Sequence, residues 1–299
     1  MTSIPFCKFH GFGNDYIVIE KSAIPDGTNL SELAKAICHR HTGAGSDGIA
    51  VLSSLDNDAD FFCEIVNPDG SIAGFSGNGT RCAVSYIYYK KLWSEPTLKL
   101  KTRSGIKKYR LIEETSPGHY WFEAEIGKPK FASNEVPVAT SERKDTVVDF
   151  AVTVAGREFL MSCVNVGNPV AITFVDDFDF DWRLYGRKLE SHPVFPEKAN
   201  VVFVNVIDRE NIEIRIWERA AGETSSSGTC SSGAAVLAAK TDRTGRKVAV
   251  HAVGGTTEFF WRDDDEMLIT GRADVSYCGE WPTNSKKIRL GSVLICVAV

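Results

Sequence analysis

Two stretches decide how this chain folds: SGNGTRCAV, from Ser76 to Val84, and SGTCSSGAAV, from Ser227 to Val236. They begin 151 residues apart in a chain of 299. Other pairs share that spacing in the same order. Gly13-Asn14-Asp15 answers to Gly167-Asn168-Pro169 at an offset of 154, and Ile65-Val66-Asn67 to Ile216-Trp217-Glu218 at 151. The segment opening at Leu100 answers to the one opening at Val250, at 150. Each match is weak singly, but four in order at half the chain length mark an internal repeat. The expected organisation is an N-terminal domain over residues 1–130 and a C-terminal domain over 131–285, with an extra tail at 286–299. The boundary falls in the Pro- and charge-rich stretch 127–146.

Strand-like runs precede each stretch, at 16–20, 49–53 and 61–67, then at 170–175, 201–207 and 213–217. Their β-branched, alternating composition is that of half-buried strands, and residues 208–211 between two runs suggest a hairpin. Each Ser-Gly loop opens into an apolar, Ala-rich segment, 80–90 and 231–240, that reads as a buried helix. Strands follow at 97–100, 107–112, 247–252, 258–261 and 267–270. A central helix wrapped by a mixed sheet, twice over, is an α+β architecture of two pseudo-symmetric domains.

The Ser-Gly loops carry the first functional hint. A serine N-cap followed by Gly and Asn or Thr leaves backbone N–H groups free at the positive end of a helix dipole. Such a terminus binds anions. Duplication would set the two termini across one domain junction, where small-molecule sites tend to lie. A carboxylate between them, flanked by Gly77, Asn78, Gly228 and Thr229, is the expected ligand.

Composition narrows the partners. With 43% hydrophobic and 24% charged residues and a net charge of −5, the chain has no electrostatic footprint for nucleic acid. No run approaches the roughly 18 apolar residues of a membrane span. The opening MTSIPFCKFHGF lacks an apolar core and a small-residue cleavage site, so a cytoplasmic protein without a secretory leader is expected. Eight scattered cysteines with no C-x-x-C pair read as reduced, mostly buried thiols, and the six histidines show no zinc spacing with them.

Longer motifs carry a resemblance. Phe9-His10-Gly11-Phe12-Gly13-Asn14-Asp15-Tyr16, the stretch from Arg40 to Gly48, Asn67-Pro68-Asp69-Gly70-Ser71, Gly77-Asn78-Gly79-Thr80-Arg81-Cys82, Gly167-Asn168-Pro169 and the stretch from Glu218 to Thr224 resemble diaminopimelate epimerase. The resemblance runs from residue 9 to about 280 and implies two similar domains, each a mixed sheet curled around a central helix, with the site between them. It implies an isomerase of the racemase or epimerase kind in amino-acid (lysine) biosynthesis, acting on diaminopimelate or another amino acid. It implies no metal and no cofactor, and a homodimer is a further expectation. In the family, one cysteine from each half removes or returns the α-proton. Asn14, Asn67, Asn168, Asn200, Glu218 and Arg219 match the residues that hold the substrate; an Arg among asparagines suits a carboxylate.

The positions of the two cysteines are held here by Ser76 and Ser227. A serine hydroxyl has no anionic form near neutral pH comparable to a thiolate. The family usually has His where this chain has Val170, and commonly Gln where it has Gly48. Four readings stay open: an isomerase whose proton chemistry uses other groups, with Glu223, Glu218, Asp15 and Cys230 as candidates; an epimerase inactivated by Cys-to-Ser change; a non-catalytic amino-acid binder; and slow epimerisation by the two serines through bound water.

Overall fold

The computed structural model describes residues 3–136 and 138–283. The tail expected at 286–299, and Cys296 with it, lie outside the described residues. The first half runs β1 (Ser3–Gly11), β2 (Asn14–Glu20), α1 (Leu30–Ile37), β3 (Ile49–Ser54), β4 (Phe61–Val66), β5 (Ile72–Ala73), α2 (Gly77–Tyr89), β6 (Thr97–Thr102), β7 (Gly105–Ser116) and β8 (His119–Gly127). The second runs β9 (Val147–Val154), β10 (Arg157–Asn165), β11 (Pro169–Phe174), α3 (Trp182–Glu190), β12 (Asn200–Val206), β13 (Asn211–Glu218), β14 (Gly222–Thr224), α4 (Gly228–Lys240), β15 (Lys247–Ala252), β16 (Gly255–Trp261) and β17 (Met267–Pro282).

The repeat is visible in the pairing. β2 and β3 are parallel, β3 and β4 antiparallel, β4 and β6 parallel, and β6, β7 and β8 form a meander. β11 to β17 repeat that order, with β11 and β12 parallel, β13 and β15 parallel, and β15, β16 and β17 as the meander. The two closing strands, β8 and β17, pair with each other from Met267 opposite Gly127 to Asp274 opposite His119. The described residues are thus stitched into one continuous set of 17 strands.

α2 and α4, both 13 residues long, are the central helices. Their buried residues fall on every face, as a helix enclosed by a sheet requires. Ala83, Val84 and Ile87 of α2 share one apolar cluster with Ala234, Val236 and Leu237 of α4, so the core runs through both halves. Both helices begin three residues before the expected 80 and 231, because the glycines after each serine are already helical.

α1 and α3 were not anticipated. Each is a short amphipathic helix over the outer face of its half, anchored by Leu33, Ala34 and Ile37 in one and by Trp182 and Leu189 in the other. Asn29 and Asp181 cap them through side-chain oxygens. One expectation is corrected: Cys7 and Cys278 form a disulfide. They face each other where β1 pairs with β17, yet lie 271 residues apart in sequence, so spacing carries no sign of it. Cys38, Cys63, Cys82, Cys163 and Cys230 are free and buried. No described helix is long and apolar enough to cross a membrane.

Candidate active site

The N-termini of α2 and α4 meet. Ser76 and Ser227 are their N-caps, both in extended backbone. Ser76 Oγ accepts the Gly79 N–H at 3.1 Å, and Ser227 Oγ accepts the Cys230 N–H at 3.4 Å. A Cβ on Gly77 would stand 3.5 Å from the Gly228 Cα, and one on Gly228 equally close to the Gly77 Cα. Two positive helix ends therefore converge on one gap whose walls carry no side chain there. The gap opens into a cleft of about 950 Å³ lined by both halves.

Each serine hydroxyl has a partner, and the partners differ. Ser227 Oγ donates to Glu218 Oε1 at 2.6 Å. Burial lifts the Glu218 carboxyl above the usual carboxylate range, opposed by the Ser227 bond and assisted by the charge of Asp47. Ser76 Oγ lies 2.9 Å from the Tyr16 hydroxyl. The Tyr16 ring fills a slot between two glycines: a Cβ on Gly48 would stand 2.7 Å from its Cε1, and one on Gly79 2.8 Å. Burial holds this phenol far above its ordinary value, so it keeps its proton. One serine is thus backed by a proton acceptor and the other by a proton holder.

The other end of the cleft is polar. The Arg219 backbone N–H donates to Asn200 Oδ1 at 3.0 Å, and its guanidinium meets the Glu197 carbonyl at 3.1 Å rather than a carboxylate. Asn14 Nδ2 donates to Asp47 at 2.7 Å and Asn67 Nδ2 to Ser71 at 2.9 Å. Asp15 is held by Lys8 and by two bonds from Arg40, which also reaches Asp47. Beneath the first turn of α2 the fully buried Arg81 donates to Asn78 Oδ1 at 3.0 Å, and its Nε finds no partner among the described residues. Its charge adds to the positive potential at that helix end.

Known proteins fit this picture. The pattern of the diaminopimelate epimerase family matches residues 6–132 and 162–276. The diaminopimelate epimerase of Caldanaerobacter subterraneus subsp. tengcongensis is 37% identical over 276 residues, which cover 92% of this chain and 98% of that one. The chain belongs to the diaminopimelate epimerase family. With it, the chain is placed among isomerases of the epimerase type. Solved structures share the fold at much lower identity. A probable proline racemase from Agrobacterium radiobacter K84 superposes with a TM-score of 0.67 at 14% identity, covering 95% of this chain and 94% of that one. A hydroxyproline epimerase from Agrobacterium vitis gives 0.66 at 16%, covering 94% and 91%. At such identity these two establish the fold alone.

Against the family pattern, the rebuilt positions have physical counterparts. Val170, where an imidazole is usual, is fully buried against Gly233 of α4, so nothing titratable stands there. At Gly48 the ring of Tyr16 takes up the room a side chain would need. Of the residues singled out in the sequence, Ser76, Ser227, Asn14, Asn67, Gly77, Asn78, Asn168, Asn200, Glu218, Arg219, Gly228, Thr229 and Glu223 all line the cleft. Three candidates for proton chemistry are not brought to the reacting gap. Glu223 is bound by Arg183 through two bonds of 2.6 and 2.7 Å, its carboxylate already neutralised at the rim. Cys230 is fully buried behind Ser227, its thiol pushed well above the usual range by desolvation. Asp15 is likewise tied up by cations. Tyr16 also lines the cleft, a position the sequence does not mark by residue type; the glycines at 48 and 79 that make room for its ring are the available signal.

Proposed function

We propose that this protein is a cofactor-independent amino-acid isomerase in which Glu218, acting through Ser227, takes the substrate α-proton. The observation that carries the reading is the 2.6 Å bond from Ser227 Oγ to Glu218 Oε1 at the mouth of α4. A lone serine is too weak a base for this step, but its hydroxyl can accept a proton while passing its own to the carboxylate. The α-C–H bond breaks, its electron pair stays on the substrate, the proton arrives on Ser227 and the former Ser227 proton ends on Glu218. The substrate carboxylate sits between the two helix ends, whose free N–H groups stabilise the enediolate as charge develops. A carboxyl whose affinity for protons is raised by burial is a better base than an ordinary one, provided it is ionised at the working pH.

The remaining cleft suits an amino acid with a second polar head. Arg219 is the carboxylate clamp, flanked by Asn14, Asn67 and Asn200. Diaminopimelate, named by the curated relatives, has that form and is the first substrate to test. Incubation with each diaminopimelate stereoisomer and a panel of amino acids in heavy water tests the reading. Incorporation of α-deuterium well above the buffer rate supports it. Silence across the panel, with activity appearing in a Ser76→Cys/Ser227→Cys variant, would show a site disabled at its bases instead.

A further inference from the structure

We infer that Tyr16 is the proton supply for the opposite face of the substrate, delivering through Ser76. This rests on the proposed base relay at Glu218, because a returning proton matters only once one has been removed. The geometry stands by itself. Ser76 Oγ donates to the Tyr16 hydroxyl at 2.9 Å, and rotation of the two O–H groups reverses the bond, since each hydroxyl is both donor and acceptor. Ser76 Oγ is fixed from behind by the Gly79 N–H, which holds it at the helix mouth. The Tyr16 ring is confined by Gly48 on β3's approach and by Gly79 inside α2, which leaves its hydroxyl little freedom away from Ser76. No imidazole or thiol competes for the position: Cys82 is fully buried inside α2, and Val170 is fully buried.

The proton balance is complete. As the Ser227 side accepts the α-proton and Glu218 becomes a carboxylic acid, the Ser76 O–H bond breaks toward the opposite face of the substrate carbon. Ser76 then takes the Tyr16 proton, leaving a phenolate. After product leaves, water entering the open cleft returns a proton to Tyr16 and removes one from Glu218. Forming a phenolate in a buried slot is uphill, since burial disfavours that charge. Inversion is therefore slower than exchange at the Glu218 face, where the same proton site gives back a solvent deuteron without involving Tyr16.

The test compares inversion with α-deuterium exchange in the native chain, in Tyr16→Phe and in Tyr16→Phe/Ser76→Cys, using the amino acid that exchanges best. Phe keeps the ring between the two glycines, and a thermal melt checks that the fold is kept. The expected result is that Tyr16→Phe loses inversion by about 10²-fold or more, the scale of one positioned acid, while exchange falls far less. The double variant regains inversion, because a thiol of pKa about 8.5 carries its own transferable proton. Native-rate inversion in Tyr16→Phe would overturn the inference and leave the Glu218 reading standing. Equal loss of exchange and inversion, or no recovery in the double variant, would reduce Tyr16 to a shaping role. Absence of exchange in the native chain would instead remove the Glu218 reading, and the role of Tyr16 with it.

Discussion

Gly77 and Gly228 face each other at the starts of α2 and α4, each placed so that a Cβ would stand 3.5 Å from the other's Cα. That distance is ordinary contact, so a methyl group there is tolerated by the fold while it fills the space proposed for the substrate carboxylate. Gly77→Ala and Gly228→Ala are expected to fold and melt near the native temperature but to lose the stabilisation that ligand confers. In the native chain a ligand at a hundred times its Kd adds about 2.7 kcal/mol by mass action. Thermal melts with and without ligand check this.

Glu218 makes stability depend on pH with a definite sign. Its folded-state pKa is raised, so the native chain binds more protons than the unfolded one between the ordinary and raised values. Stability contributed by this site therefore falls as pH climbs through that window. Glu218→Gln, which still accepts the Ser227 bond, is expected to be more stable than native at neutral pH, with the gap closing below the ordinary carboxylate range. Denaturant titrations at several pH values measure it.

The slot around Tyr16 predicts coupling between residues 16 and 48. Gly48→Ala would press its methyl to 2.7 Å from Tyr16 Cε1. Overpacking of this kind typically destabilises by about 1–3 kcal/mol. Tyr16→Leu removes the ring and leaves only the tight approach to the Val66 carbonyl at 3.0 Å, so the pair Gly48→Ala/Tyr16→Leu should be less destabilised than the two single changes sum to. A double-mutant cycle reads the difference, with a coupling of about 0.5–3 kcal/mol expected.

The Cys7–Cys278 bond joins the first strand to the last described strand across 271 residues. Cys7→Ala/Cys278→Ala should lower unfolding free energy by about 2–4 kcal/mol, the usual range for a long loop. Native protein under reductant should match that variant in denaturant unfolding. The five buried thiols should stay unreactive toward a thiol reagent until the chain unfolds, because burial pushes the pKa of each one upward.

Much of this was legible in the sequence because duplication writes each feature twice. The Ser-Gly loops at 76 and 227 located both central helices and the gap between them, since N-cap chemistry is local. α1 and α3, of 8 and 9 residues, follow ordinary caps at Asn29 and Asp181 but are too short for their apolar periodicity to stand out from the neighbouring strand-like runs. β17 was expected to end at 270 but runs to Pro282, because its second part pairs with β1, a contact no local pattern reveals. The same reason hid the disulfide. At the site, residue types were readable but partnerships were not. Glu218 and Glu223 differ by five positions, and only packing shows one bonded to Ser227 and the other neutralised by Arg183.

The most direct test of the account is α-deuterium uptake measured separately for each stereoisomer of the substrate, in the native chain and in Glu218→Gln. The account predicts that the isomer presenting its α-hydrogen to Ser227 exchanges fast and its mirror partner slowly. It further predicts that Glu218→Gln loses the fast exchange by about 10²-fold or more, while still binding the substrate. Equal exchange of both isomers by the native chain, or native-rate exchange by Glu218→Gln, would contradict it.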